Sequence, residues 1–265
     1  MKGFLEELDS ARPEAGSIAL FWLGQAGFVL VTPEGRRIGI DPYLSDFVQH
    51  SFPEVGDGFK RLMPAPCQPE DLHLDALLIS HEHADHYDAE SITGLTRGHS
   101  IPVLTTPTVA DLMKAAGHDK GRVLPMRPGD SLTTQQVRVT AVGCDHGELS
   151  SDAIGFLLDT GSVTLYYAGD TALTLDRLAI ALQRKPDVAI LPINGAFGNL
   201  DGVQASILAG ALEARYCVPC HFWMFPLHLG KPQEVIDSLP MHAPGCELCL
   251  FRQGEGMVFP RRKDG

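Results

Sequence analysis

Four times in this chain a short apolar run of strand type ends in side chains that bind metals. Leu74-Asp-Ala-Leu-Leu-Ile79 runs into Ser80-His-Glu-His-Ala-Asp-His86, Val137–Val142 into His146, Val163–Ala168 into Asp170, and Tyr216–Cys220 into His221. In layered α/β structures the ends of several strands converge on one rim, and sites are built there. This recurrence predicts a sheet-based α/β fold with one convergent site.

The remaining pattern agrees. Ile18–Leu23, Gly27–Val31 and Arg37–Asp41, separated by Gly and Pro turn signals, predict a meander. From Leu74 onward strands at Ala76–Ser80 and Val103–Thr105 alternate with helices near Ala89–Leu95 and Val109–Ala116. Strands return at Val137–Val142, Ile154–Leu158 and Val163–Ala168, followed by helices near Leu175–Gln183 and Val203–Ala214 and strands at Val188–Leu191 and Tyr216–Cys220. Two halves, each a meander followed by βα units, fit two mixed sheets packed face to face with helices outside. No linker or short-period repeat interrupts residues 1–265, so one domain is expected. The Pro-, Gly- and charge-rich segment Asp46–Asp71 is expected to cross one rim as a long excursion.

In an extended segment residues two apart share a face, so His81 and His83 suit one cation. Asp85 and His86 follow the turn toward the next helix and serve a neighbouring position, which implies a second cation. Imidazole suits Zn, Fe, Ni or Cu, and added carboxylate admits Mn. Cys217, Cys220, Cys246 and Cys249 form a CxxC…CxxC pattern, but Arg215–Phe222 and Cys246–Phe251 read as strands, where residues i and i+3 point to opposite faces. Ordinary buried thiols are expected instead.

A net charge of −12 argues against nucleic acid or an anionic membrane as partner. No stretch approaches the roughly 18 apolar residues of a membrane span, and no apolar signal segment opens the chain, so a cytoplasmic protein is expected, with its six cysteines reduced. A homo-oligomer is compatible with this sequence.

His81-Glu-His-Ala-Asp-His86, His146, the Gly169-Asp170-Thr171 turn and His221 match in order the metal-ligand set of the metallo-β-lactamase superfamily, which the chain resembles from about His81 to His221. WLGQAGF at 22–28, IDPYLSD at 40–46, FKRLMPAPCQPEDL at 59–72 and GNLD at 198–201 look like a narrower group, the bacterial L-ascorbate-6-phosphate lactonase family and its relatives. The resemblance implies a four-layer αββα sandwich holding two divalent ions, Zn or Mn. His81, His83 and His146 would hold the first, Asp85, His86 and His221 the second, and Asp170 would bridge them. Its carboxylate has an oxygen for each ion. In the superfamily the position of Asp41 lies behind the metal histidines, where imidazoles donate their other N–H.

Two cations about 3.5–4 Å apart share a water and lower its pKa toward about 7, so hydrolysis by a metal-bound hydroxide is expected. Asp170 serves as the shared carboxylate, and Asp85 carries a proton to the leaving group. The expected substrate is a small molecule, a lactone or compact polar ester, with a sugar-phosphate lactone included; a metal-dependent phosphodiesterase of the same fold is the alternative. Tyr43, Asn199, Trp223 and His228 are candidate substrate contacts, and Lys60 and Arg61 a candidate anion grip. His50, His73, His99, His118 and His242 are assigned to the surface. Di-iron oxygen chemistry on this scaffold replaces one histidine by a carboxylate, whereas His83 is intact.

Overall fold

The computed structural model describes residues 3–96, 100–118 and 122–260, so His99 lies outside the described residues. Among these residues fourteen strands form two sheets of seven. The first contains β1 (Ile18–Gly24), β2 (Gly27–Val31), β3 (Arg37–Ile40), β4 (Ala76–Ile79), β5 (Val103–Thr105) and β6 (Val123–Pro125) in sequence order. The second contains β7 (Ser131–Thr134), β8 (Val137–Gly143), β9 (Ile154–Asp159), β10 (Thr164–Tyr167), β11 (Val188–Pro192), β12 (Tyr216–Cys220) and β13 (Glu247–Leu248), also in order. A last strand, β14 (Gly256–Phe259), returns to the first sheet and pairs antiparallel with β1.

Each sheet opens as an antiparallel meander and continues in parallel. β1 to β3 and β7 to β10 pair antiparallel, whereas β3 to β6 and β10 to β13 pair parallel. Parallel neighbours need crossover connections, and helices supply them. The helices are α1 (Phe4–Ser10), α2 (Phe47–Ser51), α3 (Ala89–Leu95), α4 (Pro107–Ala115), α5 (Ala179–Arg184), α6 (Gly202–Ala211) and α7 (Pro232–His242). This is the expected αββα sandwich of two mixed sheets.

The layering follows from side-chain alternation. On β4, Ala76 and Leu78 join Ile40, Phe28, Phe156 and Leu158 between the sheets, while Leu77 and Ile79 turn outward against Ile92 of α3 and Val109 and Met113 of α4. A strand covered on both faces reads as a continuous apolar run, as residues 76–79 do. Each fully buried Leu, Ile or Phe contributes about 1.5–3 kcal/mol relative to exposure. Helix starts are chemically marked: Thr106 accepts from the Val109 N–H before Pro107 opens α4, and Asp201 with Gln204 forms a capping box on α6.

Some expectations shift. The helix near Leu175–Gln183 reduces to α5, and of the strand Cys246–Phe251 only Glu247 and Leu248 pair with β12. The excursion Asp46–Asp71 carries α2 and two 3-10 turns, Pro53–Phe59 and Pro69–Asp71. No described helix is long and apolar enough to cross a membrane.

Candidate metal centre

β4 ends at Ile79, and its buried continuation Ser80-His81 enters the rim between the two sheets. Asp170 follows β10 through Gly169, whose φ of 63° turns the chain sharply where a Cβ would meet the Ile154 carbonyl at 3.1 Å. His221 follows β12 with φ 61°, a left-handed backbone, as are Asp41 at 41° and Gln25 at 50°. Non-glycine residues adopt this region at a cost of order 1–3 kcal/mol, and such residues collect at functional sites.

Two ligand groups result: His81, His83, His146 with Asp170, and Asp85 with His86 and His221. In the first, His83 Nδ1 lies 3.0 Å from His81 Nε2 and 3.2 Å from His146 Nε2, and Asp170 Oδ2 lies 3.8 Å from His146 Nε2. In the second, Asp85 Oδ2 is 3.2 Å from His221 Nε2 and 3.8 Å from His86 Nε2. Asp170 Oδ1 turns to this second group, 3.3 Å from His86 Nε2 and 3.4 Å from His221 Nε2. The tetrahedral edge for metal–nitrogen bonds of 2.0–2.1 Å is about 3.3–3.4 Å, so these separations are those of donors around an ion. His86 Nε2 and Asp170 Oδ1 are buried with no hydrogen-bond partner. Buried polar atoms are normally satisfied, and a cation between them would satisfy both. The donor set of both groups fits small divalent cations.

The rings are held from behind. Asp41 accepts from His86 Nδ1 at 2.7 Å, from the Ser80 N–H at 2.7 Å, from the Tyr167 hydroxyl at 2.6 Å and from the Ser80 hydroxyl. His81 Nδ1 meets Ser80 Oγ at 2.9 Å, and His83 Nε2 faces the Leu149 carbonyl at 3.2 Å. These contacts leave His81 Nε2, His83 Nδ1 and His86 Nε2 facing the site.

Electrostatics differ between the groups. Burial, reinforced by the neighbouring His86 ring, pushes His81 well below the usual histidine range, and burial lowers His146 too. Burial acts in the same direction on His86 and His221, but the Asp170 and Asp85 carboxylates outweigh it. His86 is held well above its ordinary value and His221 at about 9. Against burial, the same imidazoles hold both carboxyls well below theirs.

A cavity of about 710 Å³ opens over the ligands. His83, Asp85, His146, Asp170 and His221 reach its floor, and Phe47, Phe52, Phe59, Phe197, Phe225 and Leu227 form much of its wall. His228 lines it, buried, with Nδ1 unpartnered. Asn199 donates to Asp170 Oδ2 at 2.6 Å, so it touches the floor from behind rather than the open space.

Other candidate contacts fall elsewhere. Tyr43 is fully buried against Phe225 at 5.7 Å, and Trp223 is 54% exposed, outside the cavity lining. Lys60 and Arg61 face a separate surface depression, so neither grips an anion beside the ligands. Arg61 donates Nε and Nη1 to the carbonyls of Met63, Tyr43 and Ser45 at 3.1, 3.0 and 3.1 Å and stacks 4.6 Å over the Tyr43 ring, with Nη2 buried and unpartnered. Cys217, Cys220 and Cys249 are buried, and among the described residues no cysteine joins a candidate metal cluster. His50 is exposed and pairs with Glu90 at 3.0 Å.

Gln25 had no assigned role in the sequence. In the β1–β2 turn its side-chain amide donates to Asp85 Oδ2 at 2.8 Å and lies 3.2 Å from both ring nitrogens of His221, and the backbone N–H of His221 donates to the backbone carbonyl of Gln25 at 2.9 Å. The only signal was a polar residue inside the otherwise apolar WLGQAGF string. Asp88 was missed as well: buried, it caps α3 and accepts from the Leu44 and Ser45 N–H groups, tying the start of the rim segment to the ligand loop.

A model of the beta-lactamase superfamily domain matches residues 19–221. A metal-dependent hydrolase of Anaeromyxobacter dehalogenans strain 2CP-1 is 32% identical over 268 residues, 94% of this chain and 90% of its own. Among solved structures, the metallo hydrolase Igni18 of Ignicoccus hospitalis superposes with TM-score 0.71 at 20% identity, covering 93% of this chain and 100% of its own. An isothiocyanate hydrolase from Delia radicum gut bacteria gives TM-score 0.71 at 21% identity, covering 91% and 98%. At these identities the two structures share the fold. With the matched model and the relative in sequence, the fold and the convergent histidines and aspartates identify the chain as a member of the metallo-β-lactamase superfamily and a metal-dependent hydrolase.

Proposed function

We propose that the enzyme is a binuclear hydrolase, using two zinc or manganese ions, that opens a lactone or small ester. One observation carries this reading: Asp170 directs Oδ1 at the Asp85, His86 and His221 group and Oδ2 toward the His146 side. His81, His83 and His146 would hold one ion, Asp85, His86 and His221 the other, and Asp170 both. Two such ions supply Lewis acidity and an activated water for attack on an acyl carbon.

The chain's own residues then orient and protect. Asn199 fixes the rotamer of Asp170, and Gln25 holds Asp85 against His221. Asp85, an ionised carboxylate partly open to the cavity, can take the proton released by the attacking water and pass it to the departing alkoxide. The aromatic wall excludes bulk water, which strengthens each electrostatic contact at the floor. Nitrogen-rich ligation favours zinc in affinity, and metal supply in the cell also decides occupancy. No lysine or arginine lines the cavity among the described residues, which disfavours the phosphodiester alternative.

The test is a panel of lactones, simple esters and a generic phosphodiester with zinc- and manganese-loaded protein, using Asp170→Ala as blank. Metal-dependent turnover of a lactone or ester is expected, with two ions per chain by elemental analysis. Turnover of the phosphodiester alone would overturn the acyl reading.

A further inference from the structure

We propose that the cavity takes an uncharged, largely apolar substrate, an alkyl or aryl body joined to the reacting acyl group, and selects against phosphorylated or carboxylated compounds. The acyl part rests on the hydrolase reading above; the apolar part rests on the wall. That wall is a continuous aromatic surface. Phe52 and Phe59 have ring centroids 5.5 Å apart, Phe59 and Phe225 5.6 Å, and Phe225 packs on buried Tyr43. Tyr43, Val48, Met224 and Phe225 form a small core of their own under it, so the rings are preorganised.

Charge has no support above the floor. Arg61, the nearby arginine, donates Nε and Nη1 to three backbone carbonyls, its Nη2 is buried without a partner, and it and Lys60 line another depression rather than this cavity. A phosphate or carboxylate on the substrate body would lose its water among phenylalanines without gaining a lysine or arginine partner, since none lines the cavity among the described residues. Removing an ion from water in that way costs several kcal/mol. The mouth is apolar as well, with Phe52 42%, Phe197 51% and Leu227 53% exposed. A volume of about 710 Å³ lies within the range of sites for drug-sized ligands.

Besides Ser51 and Glu82, whose carboxylate accepts from the Ser150 hydroxyl, His228 is the polar residue set among the aromatic rings of the lining. His228 sits with its ring centroid 6.0 Å from Phe59, 5.3 Å from Phe197 and 5.4 Å from Phe225. Its Nδ1 is buried and unpartnered. Its ring lies among the aromatic side chains between wall and floor. Apolar walls with a few placed polar groups select by shape and one or two hydrogen bonds.

The experiment is a series of γ-lactones from four to twelve carbons, with terminally carboxylated and phosphorylated counterparts of the longest, assayed on metal-loaded protein. In parallel, calorimetry measures binding of 2-alkylcyclopentanones, ring isosteres without a scissile bond. Each added methylene is expected to raise kcat/KM and ketone affinity about three- to fourfold until the cavity fills, as burial of one methylene implies. A terminal charge is expected to lower both by at least about tenfold. Phe197→Ser, at a side chain 51% exposed, is expected to flatten the gradient while metal content stays unchanged. A flat series, or preference for the charged compounds, overturns the proposal even where lactones turn over. A chain-length gradient in ketone binding with every lactone inert upholds the apolar site and removes the lactone reading instead.

Discussion

The floor of the cavity and its wall are built on opposite principles. Floor residues leave the ends of β4, β8, β10 and β12, paired strands of the two sheets, and His81, His83, His86 and Asp170 are each held by a partner behind them, while His146 Nδ1 is buried without one. Wall residues come from the rim segment around Phe47–Phe59 and the turns carrying Phe197 and Phe225–His228, and they are held by one another's rings. The floor therefore tolerates almost no chemical change, whereas the wall tolerates change in shape. The metal-binding donors and the apolar wall sit on separate elements of the molecule.

That separation can be broken most severely at Asp170. Asp170→Ala is expected to lose metal from both ligand groups and to reduce activity to that of metal-stripped protein, because among the described residues Asp170 alone turns one carboxylate oxygen to each group. Retention of two ions in this variant would remove the bridging assignment. Asp41→Asn acts one step further back, since it weakens the acceptor for His86 Nδ1, the Ser80 N–H and the Tyr167 hydroxyl. A loss of about 10- to 100-fold in metal affinity, greater at the His86 group, is expected by competition with a chelator.

On the wall the separation predicts the converse. Phe225→Ala empties a fully buried position and is expected to cost about 3–5 kcal/mol in denaturant unfolding while both ions stay bound at unchanged stoichiometry. Loss of metal in that variant would show that wall and floor are one cooperative unit.

The smallest effect concerns protons. His221 is held at about 9 by Asp170 and Asp85, so in metal-stripped protein its ion pairs stabilise the fold fully below the unfolded value of about 6.5. That contribution is lost as pH rises through about 9. Melting of stripped protein should accordingly fall across pH 6.5–9. The loaded protein should not follow, because its ligand imidazoles are already neutral. Cation binding to the Asp85, His86 and His221 group should release protons near neutral pH, whereas the His81 side, already held neutral, should release few. Equal proton release on filling both groups would contradict this asymmetry.

What was legible in the sequence was the floor. His81, His83, Asp85, His86, His146, Asp170 and His221 could be named because each follows an apolar run whose period marks a strand, and strand ends in layered sheets meet at one rim. The two-sheet architecture was legible for the same reason, since meander and βα patterns are local. The wall was not. A phenylalanine at 59, 197 or 225 reads the same in a core as on a cavity, and only the folding of segments more than a hundred residues apart decides which. Nor could sequence disclose that Arg61 donates to carbonyls of its own segment or that Gln25 reaches Asp85 across 60 positions. The ligand pattern depends on local chain geometry and donor chemistry; cavity polarity depends on which distant surfaces meet and which donors remain unspent after they do.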